Sequence, residues 1–454
     1  MSADARSVAY ETLRAVDADD AYANLLLPRL ISRAALSAAD ARLATELTYG
    51  TLRRQGTYDA VIAAAADRPA GDIDPAVLDA LRLGVHQIMS TRIASHAAVN
   101  ETVDLVRRTV GRPPSGFANA VLRRISRDTP GEWMSRIEQS ARSDDERIAL
   151  RTAHPVWIIR AMRRALAAEG RADELDALLR ADNEAPRVTM AALPGLVEIP
   201  EGYARTTYSP FGFRTGGGDP EPLVRESRGR LRVQDEGSQL AALALSRARP
   251  VTAGERWLDL CAGPGGKTAL LAAEAIAGGA VLEANELVPA RAGLVRQALA
   301  GVPGDVPVSE RDGRERAAST PDTYDRILVD APCTGLGALR RRPEARWRKT
   351  PGDVPELTAL QTELLAAAIS ALRPGGIVAY VTCSPHLAET TGVLAEIART
   401  HGDQVEQLDA RAVLQSVTRS PLDLAAPADG SGRAQLWPHR HGTDAMFISL
   451  LRRN

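Results

Sequence analysis

The sequence predicts a multidomain chain: an all-α N-terminal domain over 1–140, a small α+β connecting module over 141–235, and a C-terminal doubly wound α/β domain over 236–454. Three observations carry this reading. Up to about residue 130 the apolar residues recur at helical spacing, as in Leu78, Leu81, Val85 and Ile88, or Val99, Val103 and Val106. After residue 236 short apolar runs alternate with longer helical patterns, which is the rhythm of βαβ units. All three cysteines, Cys261, Cys333 and Cys383, fall in short glycine- or proline-marked segments that read as strand ends, where an α/β sheet presents groups to a ligand.

In the N-terminal part, Ser37 with Asp40 forms a capping pair, and Asp74-Pro75 offers an N-cap followed by proline at the first helical position. The connecting module opens on a helical stretch around Pro155 to Arg163 and passes into a proline- and glycine-rich region through Gly216-Gly217-Gly218. In the last domain the strands read as Arg256 to Leu260, Ala280 to Ala284, Tyr324 to Asp330 and Gly376 to Thr382. The helices between them read as Lys267 to Ile276, Ala290 to Ala300 and Val354 to Leu372. A mainly parallel sheet follows, with ligands expected beyond the carboxyl ends of its strands.

A chain of 454 residues with 44% hydrophobic residues can bury a core in each of two or three domains. Its apolar runs are too short for a membrane helix, and its first residues lack the basic start and apolar core of a signal peptide. A cytoplasmic location is therefore expected, and three cysteines without paired spacing fit free thiols. The formal net charge of −1 announces no nucleic-acid partner, so any such site must be a local patch. Nothing in the pattern calls for a coiled coil, and a monomer is expected. His439 and His441 lack a matching cluster of ligands, so no metal site is expected.

The segment Cys261-Ala262-Gly263-Pro264-Gly265-Gly266-Lys267 joins the first strand of the α/β domain to its helix. Its glycines let a backbone approach a ligand closely, and the amides at the helix start favour polar or anionic groups. Gly266-Lys267-Thr268 matches the end of a phosphate-binding P-loop, but Cys261 stands where the first glycine of that motif belongs, which argues against a nucleoside triphosphatase. Glu286 ends the next strand about twenty residues on, where a carboxylate can bond both ribose hydroxyls of an adenosine cofactor. Asp312 ends the following unit, where a carboxylate could accept the adenine amino group.

Two family resemblances sharpen this. The stretches Glu46-Leu-Thr-Tyr-Gly50-Thr-Leu-Arg53, His96-Ala-Ala-Val-Asn100-Glu101 and Gly116-Phe-Ala-Asn119-Ala-Val-Leu-Arg123-Arg124 resemble the RNA-binding domain of the NusB family, over roughly residues 5 to 127. Leu-Asp-Leu-Cys261 through Lys267, Asp330-Ala-Pro-Cys333-Thr-Gly335, Arg340 with Pro343-Glu344, and Thr382-Cys383-Ser384-Pro385 resemble the ordered signatures of S-adenosylmethionine-dependent RNA cytosine-C5 methyltransferases. A NusB-like domain ahead of such a domain is similar to the arrangement of the bacterial 16S rRNA methyltransferases of that class. This chain has Gly263 where alanine is more usual, Thr334 where serine is common and Glu286 where aspartate is frequent.

The resemblance implies a Rossmann-like methyltransferase domain, S-adenosylmethionine as cofactor and 16S rRNA as substrate. It assigns Cys383 as the nucleophile that adds to C6 of cytosine, because C5 is too weak a nucleophile to take a methyl group unaided. It assigns Cys333 to helping the C5 proton leave, and makes Asp330 the candidate acid for the N3 side of the ring. Cofactor contacts are expected from Cys261, Ala262, Gly263, Pro264, Gly265, Gly266, Lys267, Glu286, Arg291, Asp312 and Asp330. Arg340, Arg342 and Arg346, with Trp347 beside them, form a basic run after the Asp330 motif and are expected to contact RNA. Two rival readings stay open: the same chemistry on tRNA or another rRNA site, and a non-catalytic RNA-binding factor in ribosome assembly.

Overall fold

Side-chain caps start the N-terminal helices where the sequence places them. Ser37 Oγ accepts from the Asp40 amide at 3.1 Å to begin helix Ala38–Ala66, and Asp74 Oδ1 accepts from the Ala76 and Val77 amides to begin Pro75–Ser90. A reciprocal Thr129–Glu132 capping box opens Pro130–Gln139. Helices Ala5–Ala18, Ser95–Thr109 and Arg112–Ile125 complete the packing around Leu47, Tyr58, Ile62, Leu81, Val85, Val106, Leu122 and Trp133, all buried. Gly50 lets two helices approach closely, since a Cβ there would lie 2.2 Å from the His86 ring. The His86 Nδ1 in turn meets the Tyr58 hydroxyl at 2.9 Å.

The computed structural model describes residues 4–427 and 429–454 and divides into two units: residues up to Arg160 together with Leu339–Lys349, and Ala161–Ala338 together with Thr350–Asn454. The segment Leu339–Lys349 is thus part of the helical unit, although it lies in the sequence of the α/β domain. Arg346 is fully buried there, and its guanidinium donates to the carbonyl oxygen of Arg53 at 2.6 Å and that of Ala153 at 3.4 Å. Arg348 donates to the carbonyls of Val16, at 3.0 Å, and Ala21. The Trp347 ring lies against Gly56, where a Cβ would come within 2.2 Å of it. Neighbouring His154 is buried, and desolvation, with the Arg346 charge adding, holds its imidazole well below its ordinary range and therefore neutral.

The second unit holds two sheets. The smaller is antiparallel, with strands β1 (Thr189–Ala192), β2 (Ala204–Arg205), β3 (Gly212–Arg214) and β4 (Leu231–Val233) in the order β2-β3-β1-β4. The larger contains β5 (Arg256–Asp259), β6 (Val281–Asn285), β7 (Val308–Ser309), β8 (Tyr324–Asp330), β9 (Leu372–Thr382), β10 (Val405–Leu408), β11 (Ala434–Gln435) and β12 (Phe447–Arg453). Its order is β10-β12-β9-β8-β5-β6-β7, with β11 beside β12. Strands β5 to β9 pair in parallel, while β12 inserts antiparallel between β9 and β10. Helices Gly266–Gly278, Pro289–Leu299 and Val354–Ala371 are the crossovers, within two residues of the sequence-predicted bounds at every end.

The buried faces of this sheet read as continuous apolar runs, such as Ile327, Leu328 and Val329 on β8 and Val378 to Val381 on β9, as expected for strands covered on both sides. One charge is carried into the middle of the domain and fully bonded. Arg326 on β8 donates to Glu255 at 2.8 Å and to the carbonyls of Leu245, Ser246, Arg249 and Pro250, so it ties the end of helix Glu236–Ser246 to the sheet.

The burial of Arg346 generates a stability prediction. Arg346→Met keeps most of the side-chain volume but removes the charged guanidinium's bonds to the Arg53 and Ala153 carbonyls, which costs the helical unit about 2–4 kcal/mol. Amide hydrogen exchange over residues 38–66 should accelerate accordingly in Arg346→Met, whereas exposed Arg54→Met should change it by less than about 0.5 kcal/mol.

Candidate active site

The site residues expected from the sequence collect at the carboxyl ends of β5, β6, β8 and β9. Leu260 and Cys261 follow β5, Glu286 follows β6, Asp330 is the last residue of β8 with Cys333 three residues beyond, and Cys383 follows β9 directly. Parallel pairing lines these ends up: Asp259 is opposite both Ala284 and Leu328, and Asp330 is opposite Val381. The loops therefore leave the sheet side by side, in a crevice where doubly wound domains hold ligands.

The glycine-rich turn is braced from β6. Glu286 Oε2 accepts from the Gly263 amide at 2.9 Å, Glu286 Oε1 accepts from the Val288 amide at 3.1 Å, and Arg291 donates to the Gly263 carbonyl at 2.7 Å. A Cβ at Gly263 would lie 2.3 Å from Glu286 Oε2, so the smallest residue at 263 leaves room for the longer acid at 286. Gly265, at φ 102°, sits where a Cβ would meet Ala298 at 2.5 Å. Asp312 caps helix Gly313–Ala318 through the Arg314 amide, and the Arg314 side chain holds its carboxyl below the usual range. Amides at the start of helix Gly266–Gly278, with Glu286 and Asp312 as acceptors, form a cradle that could hold an adenosine-bearing cofactor.

Lys267 and Thr268 turn away from the phosphate-binding geometry their motif resembles. The Lys267 ammonium donates to Asp330 Oδ2 at 2.7 Å, and the Thr268 hydroxyl donates to Asp259 Oδ2 at 2.7 Å. Burial pulls the Lys267 pKa down, but the Asp330 charge and hydrogen bond outweigh it, the Cys383 thiolate adds to them, and the net direction is up. Lys267 thus holds a positive charge among Asp330, Cys383 and Asp259. The carboxyl of Asp259 is pushed up to about 7, by burial first and then by the charge of Asp330.

The thiols of Cys333 and Cys383 lie 3.4 Å apart. Their hydrogen bond is the first cause, and burial the second, that drives the Cys333 thiol well above its ordinary range. Cys333 therefore keeps its proton. Cys261 is also pushed up, by burial and then by the carboxylates of Asp259, Asp330 and Glu286. That makes it an unreactive thiol in the turn.

The three arginines expected on RNA divide. Arg342 is exposed, with its guanidinium over the Tyr22 ring at 5.4 Å. Arg340 is buried, and Arg346 is spent on backbone carbonyls, so the expectation that Arg346 meets phosphate is corrected by its burial in the helical unit. Trp347, expected to stack on a base, is packed against Gly56 instead. The sequence reading passed over Glu389, whose buried carboxylate bonds both cysteine loops. It stands in no recognisable motif and reads as one more acid in a helical stretch.

A parallel sheet with a braced glycine-rich turn after its first strand and paired cysteines beyond its central strands defines an α/β methyltransferase. Residues 249–452 match the 16S rRNA methyltransferase RsmB/F family and residues 3–127 match the NusB family. The chain is 49% identical to the Mycobacterium tuberculosis protein Rv1407, named as a methyltransferase, over 99% of this chain and 96% of that one. It is 33% identical to ribosomal RNA small subunit methyltransferase B of Pseudomonas putida, over 87% of this chain and 89% of the relative. The crystal structure of PH0851 shares the fold with a TM-score of 0.81 at 21% identity, covering 99% of each chain. The chain belongs to the RsmB/F family of 16S rRNA methyltransferases, joined to an N-terminal NusB domain.

The thiol electrostatics predict an order of reactivity. Under rising pH, iodoacetamide should label Cys383 before Cys333 and Cys261, as read by peptide mass spectrometry. Replacing the partner in Cys383→Ala should then make Cys333 label faster than in wild type, because the hydrogen bond that raises its pKa is gone.

Proposed function

We propose that the chain methylates C5 of a cytosine in 16S rRNA, using S-adenosylmethionine and a covalent bond from Cys383 to C6. The observation that carries this is the pair of thiols at 3.4 Å beside the Lys267–Asp330 ion pair. A single nucleophile would need one cysteine; two, with an acid and a cation next to them, suit a reaction that must both form and break a carbon–sulfur bond.

The residues divide the work as follows. The Lys267 ammonium, held charged by Asp330, lies near Cys383, and a neighbouring positive charge favours the thiolate form a nucleophile needs. Its sulfur adds to C6, and electron density moves toward C5 and N3. Asp330 faces the N3 side, where its carboxylate can relay a proton from the Lys267 ammonium, which donates to it at 2.7 Å, leaving the lysine neutral. S-adenosylmethionine, when bound, supplies an electrophilic methyl group on a sulfonium. The fit of the turn to such a group rests on the amides at the start of helix Gly266–Gly278 and on the acceptors Glu286 and Asp312, while Gly263 and Gly265 let the turn pack closely against Glu286 and Ala298. After C5 carries the methyl, its proton must leave before the C6–sulfur bond can break; with Cys383 bonded to carbon, the hydrogen bond that raises the Cys333 thiol is gone, so Cys333 can give its own proton to solvent and take the C5 proton in its place. The base has to reach these groups from outside a helix, so a single-stranded or flipped-out cytosine is required.

Tritiated S-adenosylmethionine with unmethylated 16S rRNA, followed by bisulfite sequencing, tests the reading. Wild type should make one 5-methylcytosine. Cys383→Ala should lose about 10³-fold or more in rate, and Cys333→Ala should accumulate a denaturation-stable protein–RNA adduct. Full activity in Cys383→Ala would overturn the covalent mechanism, and labelling of tRNA in place of 16S rRNA would overturn the substrate.

A further inference from the structure

Glu389 is fully buried, and its carboxylate gathers four bonds from uncharged donors. Oε1 accepts from the Thr334 amide at 2.7 Å and the Gln361 side chain at 3.2 Å; Oε2 accepts from the Thr334 hydroxyl at 2.5 Å and the Ser384 hydroxyl at 2.6 Å. Thr334 is the residue after Cys333, and Ser384 is the residue after Cys383. A single carboxylate thus takes hydrogen bonds from both cysteine loops at the position adjoining each sulfur.

The surroundings fix this carboxylate from behind. The Tyr380 hydroxyl donates to the Glu389 carbonyl at 2.6 Å, and Gln361 also donates to the Pro332 carbonyl at 2.8 Å, so the same side chains that seat Glu389 also seat the Cys333 loop. Thr334 Oγ1 and Ser384 Oγ also lie 3.0 Å from each other, so the two hydroxyls and the carboxylate form one cluster between the loops. A carboxylate at this place can accept from the Thr334 amide, the Gln361 side chain and both hydroxyls at once. An apolar side chain there would leave a backbone amide and two hydroxyls unpaired in the interior. A buried charge is a costly way to fill space, and its bonds converge on the two loops that carry the thiols.

We infer that Glu389 is a positioning residue that clamps the Cys333 and Cys383 loops together and sets the separation of the two thiols during the reaction. This rests on the reading of those cysteines as the working pair. The clamp does not touch substrate or cofactor; it acts through Thr334 and Ser384. The β8–β9 ladder brings the loops out side by side, and past its last bond Glu389 holds them at that spacing together with the Gly337 amide, which donates to the Cys383 carbonyl at 2.8 Å.

Two independent readouts test it in the full-length chain. Phenylarsine oxide bridges two thiols held close together, so wild type should bind one arsenic across Cys333 and Cys383, seen as a mass increase on the intact protein that protects both from alkylation. Glu389→Gln, which replaces an acceptor by a donor, should weaken this bridging about tenfold or more. It should lower kcat for methyl transfer about 10²-fold with KM for RNA and for S-adenosylmethionine within threefold. Should Glu389→Gln fail to fold, Thr334→Val and Ser384→Ala each remove one donor and should produce the same pattern more weakly, with Thr334→Ser retaining about tenfold more activity than Thr334→Val. Unchanged bridging in Glu389→Gln, or a loss seen in KM alone, overturns the clamp. If wild type transfers no methyl group yet bridging still weakens in Glu389→Gln, the clamp is supported and the methyltransfer reading is the one that fails.

Discussion

The parallel ladder between β8 and β9 is the constraint on which the site depends. It places Asp330 opposite Val381, so the chain leaves the two strands within one residue of each other and the thiols that follow meet at 3.4 Å. On its other side β8 pairs with β5, and the helix after β5 brings Lys267 to Asp330. The order β9-β8-β5-β6 thus lays out, along one edge, Cys383, Asp330 with Cys333, the glycine-rich turn and Glu286.

Burying such a set of ionisable groups is expensive unless their charges compensate. Lys267 supplies the compensation. Its ammonium is held against burial by Asp330, and its charge also acts on Cys383. The Cys333 thiol, by contrast, is raised well above its ordinary range by its hydrogen bond to Cys383 and by burial, so two cysteines of the same chemical type stand in unequal surroundings.

Much of this was legible in the sequence, and the reason is local. The strand ends carry glycine, proline and cysteine in fixed order, and the crossover helices have bounds that apolar periodicity marks to within two residues. Arg346 and Trp347, in the basic run after the Asp330 motif, were misread. Composition reports charge and not direction, and the partner of Arg346 is the carbonyl of Arg53, 293 residues away in sequence. The same limit hid Glu389, whose meaning comes from two loops that only the sheet brings together. The departures at Gly263 and Glu286 were visible singly, but their relation was not. In the structure the missing methyl group of one is the space taken by the carboxylate of the other. The N-terminal glycines told a similar story, since Gly56 is small because the Trp347 ring rests on it.

The most direct test of the account is to offer 16S rRNA containing 5-fluorocytosine with S-adenosylmethionine. Fluorine at C5 cannot leave as a proton does, so addition and methyl transfer proceed while release is blocked. The account predicts a stable adduct in which the nucleotide is bonded to Cys383, identified by mass spectrometry of the cross-linked peptide, and no adduct in Cys383→Ala. An adduct on Cys333 or Cys261, or turnover of natural substrate without any trapping, would contradict it.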